Sequence, residues 1–274
     1  MDVILEIATS ARAGRLLIFC GAGVSMLPPS KSPSWWEIYV AAASALRDRF
    51  QEGFPEVTVD FDLDELLKPL QTQQLADMIV QRFAGGNFVQ NLQVVDVADP
   101  NENHVLIAAL TALGYVRGIV TTNWDTLLER SAVLGGTGFT VVAPAMEGRS
   151  VWNSGVTLVK LHGSAVDALR LIETSSHKAR EIDPQLARSW SVMVQDADVL
   201  VLGYSGADLE FGAARAFFSD FLSSGGRIWW LYRQGSPPRL PSHAQLRVTL
   251  MEGSLPDALT RSSSKEEPRI GATD

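Results

Sequence analysis

The sequence predicts an α/β protein in which a mostly parallel, Rossmann-like sheet is flanked by helices. Five short apolar runs occur along the chain without polar alternation, which is the pattern of parallel strands buried on both faces. Segments with helical periodicity separate these runs, and strands that alternate with helices form parallel sheets covered on both sides. Apolar residues make up 46% of the 274 residues and charged residues 20%, a balance typical of a globular chain.

The predicted elements alternate along the chain. The strands are residues 15–20, 117–121, 157–161, 198–202 and 227–232. The helices are residues 35–50, 63–83, 104–113, 126–132 and 209–222. Several strands run directly into glycine or polar residues, and ligands of open α/β sheets bind at the carboxyl ends of the strands. The loops that follow the strands are therefore the candidate functional segments.

One interval is too long for a simple crossover. About a hundred residues, roughly 21–116, separate the first two strands, and they show helical patterning without a convincing strand. We interpret residues 62–97 as a helical insertion that forms a small lobe. The predicted organisation is one domain over residues 1–260 that contains this insertion, followed by a flexible polar tail at 261–274.

Charge and composition exclude several classes of protein. The net charge of −8 argues against direct binding to nucleic acid or to an anionic membrane, because both partners require a positively charged protein surface. The first residues lack the pattern of a secretory signal, and no run approaches the roughly 20 apolar residues of a membrane span. We expect a cytoplasmic protein. Its single cysteine, Cys20, excludes an intrachain disulfide and a zinc ribbon of paired cysteines, and we predict no metal.

A glycine-rich loop follows the first strand. Gly21, Ala22, Gly23 and Ser25 lie where glycines allow backbone N–H groups to approach a diphosphate closely. The third glycine of the dinucleotide fingerprint is missing, and strand-to-helix turns are often glycine-rich without binding a ligand. The loop predicts a nucleotide site, with a plain turn as the alternative.

The second and third strands each deliver polar side chains to the same edge. Asn123 and Asp125 follow the second strand, although Asp125 is also in place to cap the next helix. His162 precedes a glycine at the end of the third strand, and the ordinary pKa of an imidazole suits proton transfer. These three residues are candidate catalytic or binding groups.

The fourth strand ends in a second flexible loop. This loop contains Gly203, Ser205 and Asp208, which are placed to bond a ribose or phosphate. The alternative is that the segment is a plain turn and that Asp208 caps the next helix. Four loops at one edge of the predicted sheet thus combine two glycine-rich segments, an amide, carboxylates and an imidazole. Their convergence predicts a nucleotide-dependent active site.

The order and spacing of these motifs resemble the sirtuin superfamily. The family's motifs are matched by GAGxS at residues 21–25, Thr-x-Asn-x-Asp at Asn123 and Asp125, His-Gly at His162 and Gly163, and Gly-x-Ser at Gly203 and Ser205. Residues 100–104 (PNENH) are also similar to the family's proline-to-histidine helix start. The matches span about residues 15–208, most of the chain.

Two departures identify the branch that the chain resembles. Classical deacylases carry a four-cysteine zinc module between the His-Gly and Gly-x-Ser motifs, whereas this chain has one cysteine. Their Pro, Phe and Arg segment after the first loop is also absent. With Asp208 and Leu209 after the Gly-x-Ser loop, the pattern looks like the bacterial sirtuin-like NADases of antiphage defence, which deplete NAD in infected cells.

The resemblance implies roles for the candidate residues. Asn123 would hold the nicotinamide ribose and the attacking water, and His162 would accept a proton. Asp125 would orient the ribose or nicotinamide side, and Gly203 and Ser205 would hold the adenosine half, with Asp208 a weaker candidate. Gly21, Ala22, Gly23 and Ser25 would cradle the diphosphate. NAD is thereby expected as the substrate, cleaved to nicotinamide and ADP-ribose without a metal.

Alternative functions remain open at this point. An NAD-dependent protein deacylase would use the same Asn123 and His162 but would also need an acyl-peptide cleft. A non-enzymatic sensor of NAD or an ADP-ribose derivative would not need a base at the reacting carbon, and an α/β structural subunit would match the motifs by accident. Because free NAD hydrolysis is toxic, the resemblance further implies gating by a homo-oligomer or by a separate ATPase or Argonaute-type subunit.

Overall fold

In a computed structural model of the chain, seven parallel strands form one sheet. The structure describes residues 2–57, 62–67, 69–70, 72–79, 96, 98–144, 156–166, 182–207, 209, 212–240 and 248–257. The strands are β1 (Leu16–Cys20), β2 (Gly118–Thr121), β3 (Thr140–Val142), β4 (Thr157–Lys160), β5 (Asp198–Leu202), β6 (Ile228–Tyr232) and β7 (Val248–Glu252), in the spatial order β3-β4-β2-β1-β5-β6-β7. Every pairing is parallel, which confirms the predicted fold class.

Helices cover both faces of this sheet. They are α1 (Val3–Arg12), α2 (Trp35–Gly53), α3 (Leu63–Leu67), α4 (Thr72–Met78), α5 (Glu102–Ala112), α6 (Leu127–Leu134), α7 (Pro184–Met193) and α8 (Gly212–Ser224). The five predicted strands all form, and α2, α5, α6 and α8 overlap predicted helices. No helix within the described ranges is both long and apolar enough to cross a bilayer.

The central strand shows why the apolar runs are continuous. Leu17 and Phe19 of β1 face a core that α7 and α8 complete, whereas Leu16, Ile18 and Cys20 face a second core with α1, α5 and α6. All five side chains are essentially excluded from solvent. Because alternate side chains of a strand point to opposite faces, a strand covered on both faces must be apolar throughout.

A third, smaller apolar cluster lies away from the sheet. Tyr39 of α2 packs with Leu67 of α3, Leu75 of α4 and Ile79. The helices α3 and α4 fall inside the segment 62–97 and within the predicted helix 63–83, of which residues 68, 71 and 80–83 lie outside the described residues. The division into a domain over 1–260 with an insertion stays a prediction, and the segment 261–274 lies outside the described part of the chain.

The order of the strands places one crevice at the centre of the sheet. The chain leaves β1 toward β2 and β4 on one side, and returns to β5 on the other side of β1. Such a reversal leaves the loops after the two central strands side by side, at the point where open α/β sheets bind ligands. The loops after β1 and β5 are the two glycine-rich segments of the sequence.

Candidate active site at the carboxyl edge of the sheet

The loop after β1 packs directly against the loop after β5. The N–H of Gly21 donates to the carbonyl of Leu202 (3.0 Å), and the N–H of Gly23 donates to the carbonyl of Gly203 (2.8 Å). A Cβ on Gly23 would lie 2.7 Å from the carbonyl oxygen of Gly203, and a Cβ on Gly203, whose φ is +60°, would lie 2.4 Å from the nitrogen of Val24. These glycines therefore allow two protein loops to approach each other closely.

Four polar side chains from three segments meet beside the loop after β1. The hydroxyl of Ser25 donates to Oδ2 of Asp125 (3.0 Å) and lies 3.1 Å from Nε2 of His104. The amide Nδ2 of Asn123 donates to Ser25 Oγ (3.2 Å) and to Asp125 Oδ2 (3.3 Å). Ser25, His104 and Asn123 are each less than 5% exposed. The four groups form one hydrogen-bonded cluster.

Hydrogen bonding determines which nitrogen of His104 carries the proton. The N–H of Asn101 donates to Nδ1 of His104 (3.1 Å), so Nδ1 is an acceptor. Burial lowers the pKa of His104 to about 4, with the Asp125 carboxylate acting in the opposite direction, so the ring is neutral at pH 7. Its single proton is then on Nε2, which donates to Ser25 Oγ. The direction of donation runs from His104 through Ser25 to Asp125.

Asp125 caps a helix, as one of the two sequence interpretations has it, and also bonds to the polar cluster. Its Oδ1 accepts the N–H of Leu127 (3.2 Å) at the first turn of α6, as a helix cap does. Its Oδ2 accepts the hydrogen bonds from Ser25 and Asn123. The carboxylate thus fixes the start of a helix and the orientation of the Asn123 amide together.

Asn123 has one polar atom that the described residues leave without a partner. Its backbone N–H donates to Oγ1 of Thr121 (3.0 Å), and its Nδ2 is bonded to Ser25 and Asp125. Its Oδ1 is buried and accepts no hydrogen bond within the described ranges, although the residue is only 4% exposed. An unpaired buried acceptor is unfavourable, so such an atom is a candidate for contact with a ligand.

His162 lies at the neighbouring strand end. Thr121 and Lys160 are opposite each other in the register of β2 and β4, and Asn123 and His162 each lie two residues beyond that pair. The N–H of Ala165 donates to the carbonyl of Trp124 (2.8 Å), which joins the two loops. The structure therefore brings the predicted amide and imidazole to adjacent positions of one edge, with His162 8% exposed.

The loop after β5 is held by a hydrogen bond and by aromatic stacking. The indole Nε1 of Trp230 donates to the carbonyl of Tyr204 (2.9 Å), and the Tyr204 ring stacks on Trp230 and on Phe218. Ser205 is exposed, and its carbonyl accepts the N–H of Arg239 (2.9 Å). Gly203 and Ser205 thus lie at the same edge as Gly23, whereas Asp208 lies outside the described residues.

Sequence reasoning did not include His104 and Asn101 among the site residues. Asn101 Nδ2 donates to the carbonyls of Val24 (2.9 Å) and Leu27 (3.1 Å), so the start of α5 holds the loop after β1 in place. The signal was present in the match of residues 100–104 to a proline-to-histidine helix start. What that match did not reveal is the contact of His104 with Ser25.

Cys20 is the last residue of β1 and lies near this edge. It is fully buried in β1, and burial raises the pKa of its thiol far above the ordinary value. Within the described ranges, no three His, Cys, Asp or Glu side chains are grouped as metal ligands. Cys20 is therefore a core residue of the strand that leads into the site.

Comparison with known sequences finds similarity to one domain family over part of the chain. A profile of the SIR2-like domain matches residues 117–250, which include Asn123, His162 and the loop after β5. Defense-associated sirtuin 2 of Bacillus subtilis is 29% identical over 166 residues, which cover 60% of this chain and 14% of that protein. The chain therefore corresponds to a small part of the length of this curated relative.

Solved structures share the fold over nearly the whole chain. A histidine-to-asparagine mutant of a Sir2 homologue in complex with ADP-ribose aligns with a TM-score of 0.56 at 17% identity, and covers 99% of this chain and 100% of that chain. A Sir2 structure described as a basis for enzyme mechanism and regulation aligns with a TM-score of 0.53 at 15% identity, and covers 97% of each chain. At these identities the likeness concerns the fold.

Proposed function

We propose that this chain, which matches the SIR2-like domain profile over residues 117–250 and shares the fold of Sir2 structures, hydrolyses NAD to nicotinamide and ADP-ribose. The observation that carries the proposal is the position of Asn123 and His162, each two residues beyond the paired ends of β2 and β4, together with an Asn123 Oδ1 that has no hydrogen-bond partner among the described residues. A protein that only binds a nucleotide needs no such amide and imidazole at adjacent strand ends.

The chemistry of the bond explains why these groups suffice. Hydrolysis passes through an oxocarbenium-like ribosyl transition state with a neutral leaving group, so positioning and a base matter more than a strong acid. In the proposed mechanism, Oδ1 of Asn123 accepts a hydrogen bond from the attacking water or a ribose hydroxyl. His162 accepts the proton that the water or hydroxyl releases.

The other site residues act through these two. Asp125 and Ser25 orient the Asn123 amide, and the neutral His104 donates to Ser25 so that its hydroxyl points at the carboxylate. The loop containing Gly21, Ala22 and Gly23 is proposed to lie beside the diphosphate, although the N–H groups of Gly21 and Gly23 are bonded to the loop after β5. Gly203 and Ser205 of that loop are proposed to hold the adenosine half. The ADP-ribose in the Sir2 homologue structure supports this nucleotide assignment.

We further propose a role in antiphage defence. The similarity to Defense-associated sirtuin 2 supports a role in defence, and the proposed hydrolysis would make the chain an effector that depletes NAD. Such an activity must be restrained, so we propose gating by homo-oligomerisation or by a separate ATPase or Argonaute-type subunit. Nicotinamide release that rises more steeply than linearly with protein concentration would support oligomer gating.

The first test is nicotinamide release from NAD by the purified protein, alone and with candidate partners. Asn123→Ala and His162→Ala should each lower kcat by at least about 100-fold, because each removes a group at the reacting centre. Gln185→Ala, an exposed truncation on α7, should leave kcat unchanged. Retained NAD binding without turnover in any assembly state would overturn the hydrolase and favour a sensor.

A second arm distinguishes the protein deacylase. An acetylated peptide is added to the same reaction, and deacetylation is measured alongside nicotinamide release. A deacylase releases nicotinamide only with the peptide and in equal amount, whereas the proposed hydrolase releases it without peptide. The single cysteine of the chain, buried in β1, supports the hydrolase because a four-cysteine zinc module cannot form.

A further inference from the structure

A fully buried lysine lies beneath the turn that carries Asn123. Lys160, the last residue of β4, has an exposed fraction of 0%. Its ammonium Nζ donates to the carbonyl of Asp125 (2.6 Å), to the carbonyl of Trp124 (3.3 Å) and to Oε1 of Glu129 (2.8 Å). An ammonium has three protons, so every donor of Lys160 is used. It is not available as a nucleophile or a proton donor to substrate.

The partners of Lys160 are parts of the candidate active site. The carbonyls of Trp124 and Asp125 belong to the turn that follows Asn123, and the Trp124 carbonyl also accepts the N–H of Ala165 from the loop after His162. One carbonyl therefore joins the turn of Asn123, the loop of His162 and the side chain of Lys160. Glu129 of α6 neutralises the buried charge.

Stability alone does not account for this arrangement. Replacing a buried ion pair by apolar residues of similar volume is often neutral or stabilising, because desolvation opposes the Coulomb attraction. Burial also raises the pKa of the Glu129 carboxyl, with the nearby Lys160 ammonium acting in the opposite direction. A methionine and a leucine would fill this space without placing a charge there, but they could not hold two carbonyls.

We propose that Lys160 is a positioning residue of the site: its ammonium holds the Trp124 and Asp125 carbonyls and thereby sets the placement of Asn123 relative to His162. This inference rests on the proposed hydrolysis of NAD. It assigns to the buried Lys160–Glu129 pair a catalytic consequence without any contact between Lys160 and the substrate.

The test replaces the buried charged pair with an uncharged pair. Lys160→Met combined with Glu129→Leu removes both charges together, so no unpaired buried charge remains and the protein should fold. We expect kcat for nicotinamide release to fall about 10- to 100-fold, because displacement of a positioned group by about 1 Å has effects of that size. KM for NAD should change less than about three-fold, because the nucleotide loops after β1 and β5 are untouched.

A destabilised control separates positioning from stability. Asp198→Asn removes a buried carboxylate at the opposite, amino edge of the sheet, and should lower the melting temperature while kcat per folded molecule stays unchanged. If the variant Lys160→Met with Glu129→Leu does not fold, Lys160→Gln with Glu129→Gln is used instead. It places a neutral amide where the ammonium lies and should give an intermediate loss of kcat. Wild-type kcat in either folded double variant would overturn the proposal.

Hydrogen exchange gives a readout that does not depend on NAD turnover. In the double variant, the backbone amides of residues 123–126 should exchange at least about ten-fold faster than in wild type, at equal global stability. If wild type releases no nicotinamide in any assembly state, the proposed function fails while this comparison still decides the role of Lys160. Unchanged exchange at residues 123–126 would overturn the positioning role.

Discussion

At the scale of single residues, the buried imidazole of His104 makes stability depend on pH. The folded pKa of His104 is about 4, below the ordinary histidine value, so the unfolded chain binds more protons between these two pH values. Its contribution, roughly 3 kcal/mol, is present above about pH 6.5 and is lost as pH falls through 4. We expect wild type to lose more stability between pH 7 and pH 4 than His104→Gln does.

Urea titrations of both proteins at the two pH values check this expectation. Because carboxyl groups also titrate in this range, the informative quantity is the difference between wild type and the variant at each pH. An equal loss in both proteins would mean that His104 is not held neutral in the folded state. The comparison also shows whether the cluster of Ser25 and Asp125 requires a neutral donor.

A second prediction at this scale concerns Gly203. Gly203 and Gly14 have nearly the same positive φ, +60° and +65°, but a Cβ on Gly14 meets nothing within 4 Å whereas one on Gly203 would strike the backbone of Val24. Gly14→Ala should cost about 1 kcal/mol, the penalty of a left-handed conformation. Gly203→Ala should cost clearly more, roughly 3 kcal/mol or above, because the loops must separate.

Thermal or chemical unfolding of the two alanine variants measures the difference directly. Equal losses of stability would show that the loops after β1 and β5 do not pack as closely as the Gly23 and Gly203 contacts indicate. NAD binding to the folded fraction of Gly203→Ala should also weaken, because both predicted nucleotide loops move.

At the scale of elements, two helices begin with the same reciprocal cap but differ in what the cap touches. The Ser34 hydroxyl at the start of α2 accepts the N–H of Glu37, whereas the Asn101 side chain at the start of α5 also donates to the carbonyls of Val24 and Leu27. Ser34→Ala should cost about 1 kcal/mol, the ordinary value of a cap. Asn101→Ala should cost about 2 kcal/mol or more, because it also removes two further hydrogen bonds to the loop after β1.

The two variants also separate helix stability from site geometry. Ser34→Ala should leave kcat for nicotinamide release unchanged, whereas Asn101→Ala should lower it, because the Asn101 side chain holds the loop after β1 and accepts the backbone N–H of His104. Unfolding curves and turnover per folded molecule are the measurements. Equal effects on turnover would mean that the start of α5 does not control the loop.

At the scale of the whole molecule, the two edges of the sheet carry different groups of polar residues. The catalytic candidates lie at the carboxyl edge, whereas a charged network lies at the amino edge. There, Asp198 accepts hydrogen bonds from Ser10 Oγ (2.7 Å) and Arg227 N (3.0 Å) and lies 3.3 Å from the guanidinium of Arg15. This network joins α1, β5 and the start of β6.

Removing its central charge should therefore affect stability alone. Asp198→Asn leaves the partly exposed Arg15 and Arg227 without their buried carboxylate, and we expect a loss of about 2 kcal/mol from the weakened charged hydrogen bonds. For a chain of this size this lowers the melting temperature by several degrees. Differential scanning calorimetry measures that loss, and a fall of kcat per folded molecule would contradict the separation of the two edges.

The sequence by itself determined the fold class, the five central strands and the edge at which the motifs collect. Those strands are covered on both faces, so burial leaves an unbroken apolar run that needs no knowledge of the partners. The same reasoning explains why β3 and β7 are not predicted from the sequence. The side chains of β3 and β7 are half-buried or exposed at the two edges of the sheet, so neither shows such a run.

The helix α7 was missed although its signal is local. Leu186, Trp190 and Met193 are its buried side chains, at the spacing of one helix face, and α7 overlaps none of the predicted helices. The helix α1 was likewise not predicted. Val3, Ile7 and Ala11 of α1 also contact the core at the spacing of one helix face.

Only the tertiary structure decided how the site residues act on one another. Ser25, His104 and Asn123 are separated by many residues in sequence, and their hydrogen bonds exist because the sheet order brings the end of β1, the start of α5 and the end of β2 together. Lys160 reads as part of an apolar strand, and its three buried contacts follow from the pairing of β4 with β2. Local patterns record burial, whereas directional contacts depend on which loops meet.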